Sequence, residues 1–198
     1  MGSDGVAMRI SSVQQGLIAE YEFAKFLMVG SGGKIELARP VSDDEARDYE
    51  IHIRGQYGMG FACQVKSAMS LHKMSKNVRY INIFFDIAVE RLVNSPFYWY
   101  FVAYLDPKSM GLADPTFLIP SEDFHRLAAP IQRSGMWRFS MAANMEAKSR
   151  DRWNRYRVGT LELGERVLEI SRDLSKLHPG ATLPAGLLAI PDVLVLRA

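Results

Sequence analysis

Polar and apolar residues alternate twice between Asp48 and Lys66. In the run Tyr49-Glu50-Ile51-His52-Ile53, the residues Tyr49, Ile51 and Ile53 point one way, while Asp48, Glu50 and His52 point the other. In the run Phe61-Ala62-Cys63-Gln64-Val65-Lys66, Phe61, Cys63 and Val65 share one face, and Ala62, Gln64 and Lys66 share the opposite one. Alternation with period two is the mark of a β-strand. The glycine-rich segment Gln56–Gly60 lies between the runs, so the whole stretch predicts a β-hairpin with its turn there.

Helical spacing takes over on the N-terminal side. Ser11–Val29 predicts a helix capped by Ser11 or Ser12, with a stripe of Leu17, Ala24, Leu27 and Met28 widened by Phe23 and Phe26. Gly30, Gly32 and Gly33 end it. Lys34–Ala38 reads as a strand, followed by Pro40 and an acidic loop of Asp43, Asp44 and Glu45. After the hairpin, Ser67–Phe85 reads as a loop that holds His72, Lys73, Lys76 and Arg79 and no acid. Asp86–Asn94 reads as a short helix and Tyr98–Leu105 as an apolar, aromatic central strand. Thr116–Ile119 is a further strand, Ser121–Ala128 a helix opened by Ser121 with Glu122 and Asp123, and Gly135–Ala142 a last strand. Leu161–Leu177 is amphipathic, with Leu163, Val167, Ile170 and Leu174 on one face. From His178 the chain is rich in proline and glycine and ends in the apolar run Val193–Leu196, which suits an edge strand, a partner-binding arm or a dimer contact equally.

A chain of 198 residues has room for one substantial domain. The expected organisation is a disordered segment over 1–10, an α/β domain over 11–142, and a helical extension and tail over 143–198 packing on it. The hydrophobic share of 48% and the charged share of 23% are ordinary for a water-soluble protein. A net charge of +2 does not announce nucleic-acid binding, so any basic surface must come from local clusters. One cluster is the acid-free segment around Lys73, Lys76 and Arg79, which reads either as a phosphate-backbone contact or as a solvated connector. The other is Met145–Arg157, where Lys148, Arg150, Arg152, Arg155 and Arg157 surround Trp153 and Tyr156. Aromatics three apart on a helix favour packing there, with the arginines as a wet rim. The single cysteine, Cys63, falls on an apolar strand face and reads as core; one thiol excludes an internal disulfide framework and suits a reducing compartment. No signal peptide and no membrane-spanning apolar run is apparent, so a cytoplasmic protein without a membrane partner is expected. Walker loop, dinucleotide glycine fingerprint, zinc spacing and nucleophile elbow are all missing from the sequence.

The chemistry concentrates in the hairpin. Gln64 and Lys66 project together, and if the polar faces of the two strands coincide, Asp48 joins them. A carboxylate, an amide oxygen and an ammonium on one sheet face suit a divalent metal and a phosphate. Glu20 and Glu22 lie about 200° apart around the first helix and cannot share a face; taken alone, each reads as a solvated surface acid.

The order of these elements resembles the PD-(D/E)XK nuclease superfamily, the restriction-endonuclease-like fold, between Ser11 and Pro120. The motif matches as Asp48, fifteen residues, then Gln64-Val65-Lys66. Gly16-Leu17-Ile18-Ala19-Glu20 is similar to the G-x-x-x-E helix of Holliday-junction resolvases, and the glutamine resembles the Q-x-K variant of Mrr-type restriction enzymes. Two positions depart from the pattern: Arg47 stands where a proline often precedes the aspartate, and Gln64 is an amide in place of an acid. The resemblance implies an αβββαβ core, a mixed central sheet flanked by helices, with a helical C-terminal extension. It implies a Mg²⁺- or Mn²⁺-dependent DNA endonuclease of restriction, repair or defence. Asp48, Gln64, Glu20 and the backbone carbonyl of Val65 would be the metal ligands, and Lys66 would orient the attacking water and stabilise charge on phosphate. DNA is the implied partner, and cutting both strands of a duplex would favour a homodimer. The alternative is a nucleic-acid-binding or assembly module on the same fold with weak or lost catalysis, for which the neutral Gln64 is the motive.

Overall fold

Ser11 starts the first helix through a capping box. Its hydroxyl accepts from the Gln14 N–H (3.1 Å), while its own N–H donates to Gln14 Oε1 (2.8 Å). In this computed structural model, which describes residues 10–41, 46–73, 78–147 and 149–177, with residues 57–59 described by backbone alone, that cap opens α1 (Ser12–Gly30). The buried face of α1 is Ala19, Phe23, Ala24 and Leu27. Leu17 and Met28, expected in the stripe, are exposed. Gly32 and Gly33 take left-handed φ values of 61° and 74°, and the Gly33 N–H closes on the Met28 carbonyl at 2.9 Å, which ends the helix.

Among the described residues ten strands follow: β1 (Ile35–Ala38), β2 (Tyr49–Ile53), β3 (Gln56–Ala68), β4 (Leu71–Lys73), β5 (Arg79–Ala88), β6 (Tyr98–Leu105), β7 (Leu112–Pro120), β8 (Ile131–Arg133), β9 (Met136–Asn144) and β10 (Arg157–Val158). They form a six-stranded mixed sheet in the order β1-β2-β3-β6-β7-β10, in which only β3 and β6 run parallel, and a four-stranded antiparallel sheet in the order β4-β5-β9-β8. Two further helices, α2 (Ser121–Ala128) and α3 (Leu163–Leu177), complete a mixed α/β fold with a central mixed sheet and a C-terminal helix. One face of the large sheet packs on α1 and α3, with Phe23, Ile51, Cys63, Phe101, Leu163, Val167 and Ile170 in that core. Its other face packs on the small sheet and α2 through Tyr100, Val102, Phe117, Phe124 and Phe139.

Four further expectations change. The hairpin turns at Arg54-Gly55, with Ile53 paired to Gln56 and Gly55 at φ 80°, so the Gln56–Gly60 segment is strand and not turn. The Ser67–Phe85 loop is largely β-structure, since β3 runs to Ala68 and β4 and β5 follow. The helix expected over Asp86–Asn94 is the end of β5 and a 3₁₀ turn (Val89–Arg91), because Ile81, Ile83 and Ile87 alternate into the second core with Phe85 half-buried among them. The link between the parallel strands β3 and β6 is therefore built from β4, β5 and that turn. Among the described residues of Met145–Arg157 there is no helix beyond a 3₁₀ turn (Asn154–Tyr156), yet Trp153 is fully buried and Tyr156 packs beside it, as the packing reading expects. The segments 1–9 and 178–198 lie outside the described residues.

A titratable group borders the second core. His125 Nδ1 lies 3.0 Å from Asn94 Oδ1 and Nε2 lies 3.0 Å from the Tyr100 hydroxyl. The neutral ring satisfies both by donating to Asn94 and accepting from Tyr100. Burial pushes the imidazole down from 6.5 to about 4. The unfolded chain therefore takes up a proton that the folded chain refuses between those values, and stability falls as pH drops through that window. Allowing for the partial exposure of the ring, the loss is about 2 kcal/mol. Urea midpoints of wild type and His125→Gln across pH 4–7 check this: the extra acid sensitivity should be missing in the variant.

Candidate metal and phosphate site

Asp48 is the residue before β2, and its backbone N–H donates to the Cys63 carbonyl at 3.0 Å. The register pairs Tyr49 with Cys63 and Glu50 with Ala62, which sets Asp48 beside Gln64 on the same sheet face. The Asp48 carboxylate turns back onto β3 and accepts from the Val65 N–H at 2.6 Å. Cys63 and Val65 face the first core, so Gln64 and Lys66 face the small sheet. Gln64 is 5% exposed, and its Oε1 is buried without a hydrogen-bond partner. Lys66 is half-buried, with its ammonium over the Phe85 ring, 5.0 Å from the centroid.

Glu20 comes to the same end of β3 from α1. Gln15, one turn earlier, donates from Nε2 to the Ser67 carbonyl (2.8 Å) and hydroxyl (3.1 Å), fastening α1 next to Lys66. The Glu20 carboxyl is raised above its ordinary value by burial and then by the nearby Asp48 charge, with Arg39 and Lys66 pulling the other way. Asp48 and Lys66 thus both lie within electrostatic reach of Glu20. Arg39 forms a short ion pair with Glu20 and donates to the Tyr49 hydroxyl at 3.1 Å. Its guanidinium also lies 5.3 Å from the Tyr21 ring and 5.1 Å from the Tyr49 ring. Sequence reasoning missed Arg39 and Gln15. Arg39 directly follows β1 and sits 19 residues from Glu20, a separation no local spacing rule detects. Cys63 is sealed in the core, where burial and then Asp48 push its thiol well up, so it is no nucleophile.

The outlying basic residues divide. Lys73 and Arg79 are exposed and face each other across β4 and β5, with Arg79 3.7 Å from Glu146. Lys76 lies outside the described residues. In the later cluster, Arg155 pairs with Asp123 at 3.2 Å and Arg157 donates to the Glu146 carbonyl at 2.6 Å. Among the described residues, no three His, Cys, Asp or Glu side chains gather as metal ligands. A cation here would draw on the carboxylates of Asp48 and Glu20, the unpaired oxygen of Gln64 and the carbonyl of Val65. This all-oxygen set suits a hard divalent ion.

No protein-family profile and no curated protein matches the chain. Among solved structures, a bacterial homing endonuclease is similar in fold, with a TM-score of 0.50 and 13% identity over 85% of this chain and 99% of that one. No described helix is long and apolar enough to cross a membrane.

Proposed function

We propose that this chain is a divalent-cation-dependent endonuclease that hydrolyses phosphodiesters of DNA, on the PD-(D/E)XK plan in its Q-x-K form. The observation that carries the reading is the buried, unpaired Oε1 of Gln64, beside Asp48 and two residues from Lys66 on one face. An interior amide oxygen without a donor costs about 1–3 kcal/mol. A cation there would satisfy it and relieve the Glu20–Asp48 repulsion at once. Likeness of fold to a homing endonuclease supports DNA as the substrate.

Asp48, Glu20, Gln64 and the Val65 carbonyl would hold Mg²⁺ or Mn²⁺, which when bound polarises a phosphoryl oxygen and acidifies water. Asp48 is held for this by the Val65 N–H. Lys66, steadied on Phe85, orients the attacking water and sets positive charge beside the phosphorane oxygens. Lys73, Lys76 and Arg79 supply sequence-independent phosphate contacts, and a homodimer would cut both strands.

Supercoiled plasmid incubated with Mg²⁺ or Mn²⁺ tests the reading. Nicked and linear products that vanish with EDTA are expected; unchanged plasmid with either metal would overturn it. A second reading, a binding module with lost catalysis, is favoured by two features: Gln64 brings no charge, and Arg39 neutralises Glu20. Gln64→Glu separates the two, because a nuclease retains or gains metal affinity and cleavage, while a binding module gains no cleavage.

The Glu20 environment fixes a pH dependence. Because its carboxyl is raised above 4.5, a proton competes with the cation at a higher pH than at an ordinary carboxylate. Mn²⁺ affinity, followed by calorimetry, should therefore begin to fall on acidification above pH 4.5, and Glu20→Gln should remove that component. The same sign makes ionised Glu20 destabilising: the folded chain holds a proton that the unfolded chain releases, so this group's contribution worsens as pH rises through the raised value.

A further inference from the structure

The polar face of β2 does not stop at Asp48. Glu50 and His52 continue it in steps of about 7 Å, and Arg47 folds in beside them. Arg47 Nη1 lies 3.1 Å from Glu50 Oε1, and His52 Nε2 lies 3.6 Å from Glu50 Oε2. These three side chains edge a cleft of about 340 Å³ whose apolar walls include Phe61, Ala62 and Phe97.

The cleft is preformed. Its far wall, the segment before β6, is pinned where the Ser95 N–H donates to Ser121 Oγ (2.9 Å) and Ser121 Oγ donates back to the Ser95 carbonyl (2.9 Å). The Ala62 N–H donates to the Phe97 carbonyl at 2.8 Å, tying that wall to β3. On the near side the His52 ring packs against Gly60. A Cβ at position 60 would stand 2.6 Å from His52 Cε1 and 2.7 Å from Nδ1. Glycine at this point is what lets the imidazole lie at the cleft edge and leave the volume open.

The chemistry of the lining selects a ligand. Apolar walls take the faces of a planar ring, while a carboxylate, an imidazole and a guanidinium along one edge meet its hydrogen-bonding groups. The volume accommodates one base and is too small for a length of duplex. We infer that this cleft binds a single unpaired nucleobase, that of a nucleotide adjacent to the phosphate held at Asp48 and Lys66. The inference rests on the nuclease reading and deepens it: the preferred DNA would carry an unpaired base, as a flap or bulge, at the cut.

Fluorescence polarisation in EDTA, where nothing is cut, compares a labelled duplex with the same duplex carrying a single-stranded flap. Wild type should bind the flap form about tenfold tighter, the scale of one base stacked in a protein pocket. His52→Ala and Glu50→Gln should reduce that ratio to about one while leaving duplex affinity and plasmid nicking in place. Gly60→Ala, which drives the His52 ring into the cleft, should do the same. Equal affinity for both DNAs in wild type, or a preference that survives all three substitutions, overturns the cleft assignment and leaves plasmid nicking as evidence for the nuclease. Wild-type protein that neither binds DNA nor nicks plasmid overturns both.

Discussion

Lys66→Ala should slow plasmid nicking by about 100-fold or more while DNA affinity in EDTA hardly changes. The Lys66 side chain is half-buried with its ammonium over the Phe85 ring, 5.0 Å from the centroid, so truncation removes a charge at the edge of the core and takes no large apolar group out of it. One ammonium among many phosphate contacts adds little to affinity, yet in the transition state it faces charge that develops only there. Lys66→Arg should not restore the rate, since a planar guanidinium spreads its charge over a fork that a site shaped for a point charge does not seat. Asp48 needs a finer substitution. Asp48→Ala deletes both the carboxylate and the partner of the Val65 N–H, whereas Asp48→Asn keeps an oxygen for that N–H while removing the negative charge and turning the second oxygen into an NH2 donor. Loss of nicking and of Mn²⁺ binding in Asp48→Asn, with the unfolding midpoint retained, would assign the defect to charge. Nicking at wild-type rate in both Lys66→Ala and Asp48→Asn would remove these residues from the chemistry.

Those candidates were legible because their geometry is local. Period-two alternation puts Gln64 and Lys66 on one face whatever the rest of the chain does, and hairpin pairing adds Asp48. Ser121–Ala128 and the Leu163, Val167, Ile170 and Leu174 face were legible for the same reason, the first from its acidic opening turn and the second from its stripe, although Ser121 does not cap its helix: Pro120 holds that place, and the Ser121 hydroxyl bonds Ser95 instead. β5 was not. Its apolar alternation runs through Ile81, Ile83, Phe85 and Ile87, but the basic residues before it and the charged run Val89–Arg91 after it split that period between an expected loop and an expected helix. The buried, unpaired state of Gln64 and the seating of Arg39 on Glu20 depend on which elements close over them. Tertiary packing decides both, and no spacing along the chain encodes it.

The stability of the layer that carries Glu20 turns on one small residue. Gly164, in the first turn of α3, meets the end of α1 backbone to backbone. A Cβ at position 164 would lie 2.3 Å from both the Gly30 carbonyl carbon and the Ser31 nitrogen, and 2.7 Å from Gly30 Cα. Helix propensity alone favours alanine over glycine by about 1 kcal/mol at most. The clash is with main chain, which no rotamer relieves, so α1 and α3 must separate and loosen the contacts of Leu27, Leu163 and Val167 in the first core. Overpacking of this kind costs about 1–3 kcal/mol, and more when backbone itself must move. Gly164→Ala should therefore destabilise by about 3 kcal/mol despite the better propensity, read as a lower urea midpoint at unchanged slope. Gly16→Ala is the internal control: it lies in α1 with nothing within 4 Å of the added Cβ, and should stabilise by about 0.5–1 kcal/mol. Because Glu20 sits about 15 Å along α1 from Gly30 and Gln15 fastens that end separately to Ser67, Mn²⁺ affinity of folded Gly164→Ala should stay near that of wild type. A Gly164→Ala protein as stable as wild type would mean that α1 and α3 do not approach this closely.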